Sequence, residues 1–342
     1  MKKILITGGA GFMGSNAALF FQKKGWKIFI LDDFSRKGSK NNLDNLKKKI
    51  TIQWYKVEIS NYKKLSNIIS KIKPNLILHC AGQVAVTKSV TNPRRDFNSN
   101  TLGTFNVLES IRNFSKNSKL IFTSTNKVYG NIEKKISSNE KRYFFKSSEK
   151  NINENYPLDF YSPYGCSKGA ADQYVRDYSR IYKLDTTVLR LSCIYGGMQY
   201  GIEDHGWITW LTMLAIFEKK IKIFGDGKQV RDALYIDDLI RLFYKISIKK
   251  NIKSEIYNVG GSSKNSLSLL ELVDSLEKKL KKKVTFKKYN WRPGDQKIYI
   301  SNISKVSKEL NWKPEVKISQ GLDRVIEWVK LNQKIIQNTL KI

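Results

Sequence analysis

Cysteine is scarce and poorly placed for cross-linking: Cys80, Cys166 and Cys193 are odd in number, widely spaced and without a Cys-x-x-Cys pair. That excludes a disulfide framework and supplies no zinc ligand set, so a reducing compartment and no metal are expected. Histidine is scarcer still, with only His79 and His205. His79 closes an apolar run with no catalytic partner beside it and reads as a packed strand-end residue. Negative charge is also short. Against 62 lysines and arginines stand 30 acids, a net charge of +32. Such a balance suggests nucleic acid or an anionic surface, but the lysines fall in short scattered groups, such as 47–49 and 281–283, without interleaved aromatics or a nucleic-acid module. Solvated faces are the plain reading, and no nucleic-acid partner is expected, although a positive field would draw in a nucleotide diphosphate. No apolar run is long enough to span a bilayer, and strand-like sequence begins at Lys3, leaving no room for a signal peptide. A cytoplasmic protein with no membrane partner is expected.

With 342 residues the chain is long enough to bury a large core in two closely joined lobes. Apolar runs at Lys3–Thr7, Lys27–Leu31, Ile50–Val57, Asn75–His79, Leu120–Ser124 and Thr186–Leu191 alternate with helical stretches at Phe12–Lys24, Tyr62–Lys73, Arg94–Asn113 and Pro163–Lys183. That rhythm predicts an α/β fold, a Rossmann-type doubly wound parallel sheet with right-handed crossovers. Glu133–Tyr156 is polar, irregular and long for a loop, and reads as a substrate-side lid or insertion. After Leu191 the rhythm breaks, with Trp207–Lys219 helical and Ile221–Phe224 a short strand. It resumes at the helix opening with Asp237 and Asp238, which read as caps and not as catalytic acids, and at the strand Glu255–Val259. The expected division is a dinucleotide-binding domain at 1–191 and 229–262, and a smaller mixed α/β substrate-binding lobe at 192–228 and 263–342.

Three segments carry chemistry. The first strand runs directly into Gly8-Gly-Ala-Gly11-Phe-Met-Gly14 and a helix, the context in which glycines let the backbone approach a pyrophosphate at a helix N-terminus. The second strand ends in Asp32-Asp33 about 20 residues on, where a carboxylate accepts the ribose hydroxyls of an adenosine. That favours NAD, with NADP kept as the lesser option because Arg36 is near. The strand around Leu120 ends in Thr123, Ser124 and Thr125, beyond which ligands bind in an open parallel sheet; strand-end capping is the alternative. Finally, Tyr164 and Lys168 are four apart on one predicted helix, so the ammonium can favour the phenolate of a tyrosine whose ordinary pKa is about 10. Taken alone, such a pair is more often solvated helix surface.

With these motifs the chain resembles the extended short-chain dehydrogenase/reductases, NAD-dependent epimerases and dehydratases that share the Gly8-x-x-Gly11-x-x-Gly14 loop, the hydroxyl at Thr125 and the Tyr164-x-x-x-Lys168 pair. Within that family it looks like the CDP-paratose 2-epimerases, through 81–86, 124–130, 162–174, 225–232, 265–272 and Arg292-Pro-Gly-Asp-Gln296. The resemblance implies a nucleotide-sugar epimerase, an isomerase serving O-antigen or lipopolysaccharide synthesis. Tightly held NAD would oxidise carbon 2 of a CDP-3,6-dideoxyhexose and return the hydride to its opposite face. A CDP-sugar substrate and a homo-oligomer are implied.

By the same resemblance Tyr164 is the base, Thr125 holds the reacting hydroxyl, and Lys168 lowers the tyrosine pKa. NAD would be held by Gly8, Gly11, Phe12, Met13, Gly14, Asp32, Ser35, Arg36, Glu58, Ile59, Ala81, Gly82, Tyr164 and Lys168. Glu58 stands where aspartate is commoner. Gln83, Thr87, Ser124, Thr125 and Cys193 would lie at the substrate, Asn100 would brace the active-site strands, and Arg231 and Arg292 would anchor the diphosphate or else form structural ion pairs. His205 and Met198 replace an expected glutamine and arginine. Dehydratases of this scaffold carry Asp-Glu after the threonine, where this chain has Asn126 and Lys127. A UDP-hexose 4-epimerase, with the same Tyr/Lys/Ser chemistry, remains the alternative.

Overall fold

The computed structural model describes residues 1–146, 151–249, 254–292 and 294–342. Three sequence-based readings thus fall partly outside the described residues: 147–150 of the polar insertion, 250–253 of the resumed domain, and Pro293 of the Arg292–Gln296 motif. The chain forms two compact units. Met1–Val128, Ser162–Arg190 and Ile240–Tyr257 make the first; Tyr129–Tyr161, Leu191–Leu239 and Asn258–Ile342 make the second. The sequence-based division differs most at Tyr129–Tyr161, which belongs to the second unit.

Seven strands form the main sheet, in the order Glu255–Val259, Thr186–Leu191, Lys119–Thr125, Leu76–His79, Lys3–Thr7, Lys27–Asp32, Ile52–Lys56. The pairings from Lys119–Thr125 across to Ile52–Lys56 are parallel. Strand order reverses beside Lys3–Thr7, the switch point at which such sheets open a crevice for ligands. The runs are apolar at consecutive positions because both faces are covered. Leu5, Phe29, Ile77 and Phe122 pack into one cluster with Leu65, Val107 and Val175 of the helices Tyr62–Ile72, Gly103–Phe114 and Ser162–Tyr182. Ile4, Ile6, Ile28 and Ile30 are equally buried, on the opposite face by strand alternation. His79 is a core residue, as its sequence context predicted. Its Nδ1 lies 2.6 Å from Thr7 Oγ1 and its Nε2 3.0 Å from Thr104 Oγ1, and burial pushes its pKa down to about 3.

The helix expected at Arg94–Asn113 is interrupted. Pro93–Phe97, capped by the Asn92 side chain on Arg95 N, passes into a π-helical turn at Asn98–Leu102 before Gly103–Phe114 resumes. A Cβ at Gly103 would stand 2.5 Å from Ile59 Cδ1, so any larger residue there has to push that side chain aside. Such turns recur at functional sites.

In the second unit, Val230–Tyr235 is the shared strand. It pairs parallel with Cys193–Tyr195 and Ile298–Tyr299 and antiparallel with Ser266–Ser268. Ser268 then opens the helix Leu269–Leu280 with a capping box, its hydroxyl accepting from Glu271 N while Glu271 Oε2 accepts from Ser268 N. The polar insertion is not irregular throughout: Ile136–Ser138 and Tyr143–Phe145 form an antiparallel hairpin whose Phe145 joins Val230, Ile298 and Ile300 in a small core. Asp238 is no simple cap. Its Oδ2 accepts from Glu315 N and Val316 N, each at 3.0 Å, tying down a loop of the same unit.

Candidate active site

The glycine loop is built to hold something close to its backbone. Gly8 has φ +65°, and a Cβ there would stand 2.8 Å from Ala81 N, just beyond the strand Leu76–His79. A Cβ on Gly11 would lie 3.0 Å from Gly8 O, and one on Gly14 would collide with the same oxygen. Gly8 N and Gly9 N donate to Leu31 O at 2.8 and 3.3 Å, which sets the loop against the end of the second strand. Gly11 caps the helix Phe12–Lys23, leaving the first-turn N–H groups at Phe12 and Met13 without helical acceptors. A pyrophosphate suits such donors at the positive end of a helix dipole.

At the end of Lys27–Asp32, Asp32 is buried. Its Oδ2 accepts from Ala10 N at 3.0 Å and its Oδ1 from Phe34 N at 2.8 Å. Burial raises its pKa, opposed by these bonds and by Arg36. Ser35 is turned to Asp33, whose Oδ1 accepts both its N–H and its hydroxyl. Glu58 is exposed, but the Ile59 side chain lies in the core against Gly103, so only its main chain is available beside an adenine. The cradle, the buried acid and the free helix terminus fit a dinucleotide.

Tyr164 and Lys168 stand in the first turns of Ser162–Tyr182, and both are buried. Lys168 Nζ donates to Thr123 O at 2.6 Å and lies 4.3 Å from the Phe122 ring centre. Burial lowers its pKa to about 8, although Cys80, Asp172 and Asp96 oppose the change. Tyr164 moves the other way. Burial pushes its pKa up to about 12; the Thr125 hydroxyl and Arg36 oppose this and Asp96 adds to it. The Lys168 ammonium donates to the Thr123 carbonyl, and Arg36 is a cation that opposes the rise in the Tyr164 pKa.

Strand alternation also sets the placing of the three hydroxyls. Thr123 and Thr125 share a face, with Thr123 Oγ1 donating to His79 O at 3.0 Å and Thr125 Oγ1 accepting from Lys127 N at 3.2 Å. Ser124 points to the other face and donates to Asp172 Oδ2 at 2.8 Å. Gln83 is spoken for as well: its Nε2 donates to Ala85 O and Asp96 Oδ1, both at 2.8 Å, and its Oε1 accepts from Ala85 N. Thr87 Oγ1, by contrast, is buried with no partner among the described residues.

The remaining candidates lie in the second unit. The Cys193 thiol is pushed up to about 12 by burial and faces Trp207 and Arg231. Arg231 donates to Val230 O at 2.8 Å, and burial lowers its pKa against the pull of Asp295. Arg292 forms the structural contacts that were its alternative. It donates to Glu203 O at 3.0 Å, stands 3.4 Å from Glu203 Oε1 and 3.9 Å from Asp204 Oδ1, and stacks 3.6 Å from the Phe224 ring centre. Met198 has φ +62°, and His205 shares a two-way backbone bridge with Ile202.

The profile described as GDP-mannose 4,6 dehydratase matches residues 5–325. The chain belongs to that family. It is 40% identical over 333 residues to the CDP-paratose 2-epimerase of Salmonella typhi, covering 95% of this chain and 98% of that one. It is 32% identical to the UDP-glucuronate 4-epimerase of Thermodesulfobacterium geofontis, covering 98% of each. Among solved structures, the UDP-glucuronic acid 4-epimerase of Bacillus cereus, in complex with UDP-glucuronic acid and NAD, superposes with a TM-score of 0.83 at 28% identity, covering 96% of this chain and 99% of that one. No helix among the described residues of this family member is long and apolar enough to cross a membrane.

Sequence reasoning missed several buried groups around the tyrosine. Tyr164 N donates to Ser89 Oγ at 3.1 Å, and on the same helix Ser167 donates to Asp96 while Asp172 accepts from Ser124. Asp96 hides in Arg94-Arg95-Asp96, which reads as solvated helix surface. Only the fold turns it inward.

Proposed function

We propose that the chain is a nucleotide-sugar epimerase that inverts carbon 2 of a CDP-3,6-dideoxyhexose, converting CDP-paratose to CDP-tyvelose with NAD as resident cofactor. The observation that carries this is the 40% identity, over nearly the full length of both chains, to a CDP-paratose 2-epimerase. Gly8, Gly11 and Gly14 would hold the pyrophosphate against the N–H groups of Phe12 and Met13. Asp32, with Ser35 and Arg36 next to it, would hold the adenosine ribose, and Glu58 and Ile59 would flank the adenine. Ala81 and Gly82 would line the nicotinamide end, where Lys168, whose Nζ also donates to Thr123 O, would reach the second ribose.

NAD, when bound, would supply a reversible hydride acceptor. The protein's own part is proton transfer. Tyr164 would take the proton of the sugar hydroxyl and later return it to the same oxygen, and Thr125 would hold that hydroxyl in line. With its pKa at about 12 in the chain alone, the phenol is protonated near neutrality, so nearby cations are needed to make it a base. Neighbouring Asn126 and Lys127 supply no carboxylate pair for eliminating water, which favours epimerisation over dehydration. In the second unit Arg231 is the better diphosphate anchor, because Arg292 is held by Glu203 and Asp204. Inversion requires the sugar to turn over while the nucleotide stays, so binding energy should be concentrated on CDP.

The test is a panel of CDP-, UDP- and GDP-sugars with the carbon that changes configuration followed by NMR. CDP-paratose should give CDP-tyvelose, with no solvent deuterium at the inverted carbon. Turnover of UDP-glucose without turnover of CDP-paratose would transfer the assignment to a 4-epimerase.

A further inference from the structure

The helix that carries Tyr164 and Lys168 rests on a carboxylate that this chemistry leaves unused. Asp96 is wholly buried on Pro93–Phe97. Its Oδ1 accepts from Gln83 Nε2 at 2.8 Å and from Asn100 Nδ2 at 3.2 Å, and its Oδ2 accepts from the Ser167 hydroxyl. Three donors converge on two oxygens. Both amide donors meet on Oδ1, while Oδ2 faces the Ser167 hydroxyl, which also lies 3.2 Å from Tyr164 O, so the carboxyl is held at both oxygens although burial raises its pKa.

We propose that Asp96 is a positioning residue for Tyr164: through Ser167 and Gln83 its carboxylate fixes the helix turn between Tyr164 and Lys168 against the loop that follows Leu76–His79. Ser167 lies between the two catalytic side chains in sequence, and its carbonyl accepts from Thr101 Oγ1 at 3.0 Å, so both ends of the residue are held from the same side. The π-helical turn Asn98–Leu102 accompanies this arrangement, with Asn100 Nδ2 3.0 Å from Ser167 Oγ. On the far side, Gly82 leaves no room for a side chain, since a Cβ would stand 2.6 Å from Asn100 Oδ1. Helix, π turn and loop thus meet on one carboxyl group. Lys168 faces Asp96, Arg94 and Arg95 flank it on its own helix, and Arg36 faces Tyr164 from the loop after Asp32. Asp96 also opposes ionisation of the phenol. An amide in its place therefore weakens the anchor and makes the phenol easier to ionise.

This inference rests on the reading of Tyr164 as the base, and its test has an arm independent of the substrate. Full-length wild type, Asp96→Asn, Ser167→Ala and the double variant are prepared with tyrosine labelled at Cζ, the Tyr164 signal being assigned by its loss in Tyr164→Phe. Asp96→Asn should bring Tyr164 ionisation to lower pH than in wild type, while Ser167→Ala leaves it in place. Each single variant should lose about tenfold or more in kcat, with KM within about twofold, and the double variant should be little worse than either, as for residues that act as one unit. An unmoved Tyr164 titration in Asp96→Asn, or losses that multiply in the double variant, overturns the proposal. If Asp96→Asn does not fold, Ser167→Ala decides, because it removes a single oxygen: a wild-type kcat there refutes the anchor. If wild type turns over no CDP-sugar, the substrate assignment fails while the titration still decides the role of Asp96.

Discussion

At the scale of single residues, burial sets the chemistry more strongly than pairing does. Tyr164 and Lys168 both sit away from water, and burial drives their pKa values in opposite directions, to about 12 and about 8. Replacing Tyr164 with phenylalanine removes the proton acceptor without opening a cavity. Turnover of the CDP-sugar should fall about 10²–10⁴-fold, the range for loss of a general base, while NAD stays bound to the purified variant; undiminished turnover removes Tyr164 from the mechanism. His79 gives a stability prediction whose sign is fixed. Its pKa falls from 6.5 to about 3 on folding, so between those values the unfolded chain takes up a proton that the folded chain refuses. Its stabilising contribution is complete above about 6.5 and is lost as pH falls toward about 3. In urea unfolding across that window, His79→Gln should lose stability less steeply with falling pH than wild type. Equal slopes would mean that the ring is not held neutral.

Elements differ in how much of them the sequence discloses. The strands Lys3–Thr7, Leu76–His79 and Lys119–Thr125 are legible because three consecutive apolar residues in each suit a sheet covered on both faces, and the glycine loop because its spacing is a backbone requirement. Helix Ser39–Lys49 escaped because its sequence is largely lysine and asparagine, with Leu43 and Leu46 its only apolar residues. The hairpin in the polar insertion escaped because Phe145 finds its apolar partners more than 80 positions away, at Val230 and Ile298. The partner of Ser124 was not readable: its position at a strand end was, but alternation sends its hydroxyl to Asp172. That aspartate and Arg190 form a fully buried two-bond ion pair, both bonds at 3.0 Å, fastening the catalytic helix to the strand Thr186–Leu191. Asp172→Ala should cost about 3–5 kcal/mol in urea unfolding, because Arg190 is left charged and unpaired in the core. Combining Asp172→Leu with Arg190→Met should recover most of that loss. No recovery would show that the pair contributes more than charge compensation.

For the molecule as a whole, the net charge of +32 is the property least explained by any one site. Several lysines and arginines are absorbed locally. Lys119 Nζ donates to the carbonyls of Ile246 and Lys249 at the end of a helix, and Lys279 and Arg324 pair with Asp323 and Asp237. Most of the excess has no acid to meet, since acids number fewer than half the bases. A positive field of that size speeds the approach of a dianionic nucleotide sugar but contributes little once the ligand is seated, and salt screens it over about 10 Å at 0.1 M. Raising ionic strength from about 0.02 M to about 0.5 M should therefore lower kcat/KM for the CDP-sugar several-fold and leave kcat nearly unchanged. If kcat falls in parallel, salt is acting on the catalytic machinery and not on encounter. Because the basic residues are dispersed, single-stranded RNA at matched ionic strength should compete no better than a polyanion of equal charge such as heparin. Stronger inhibition by RNA would reveal base contacts that scattered lysines cannot make.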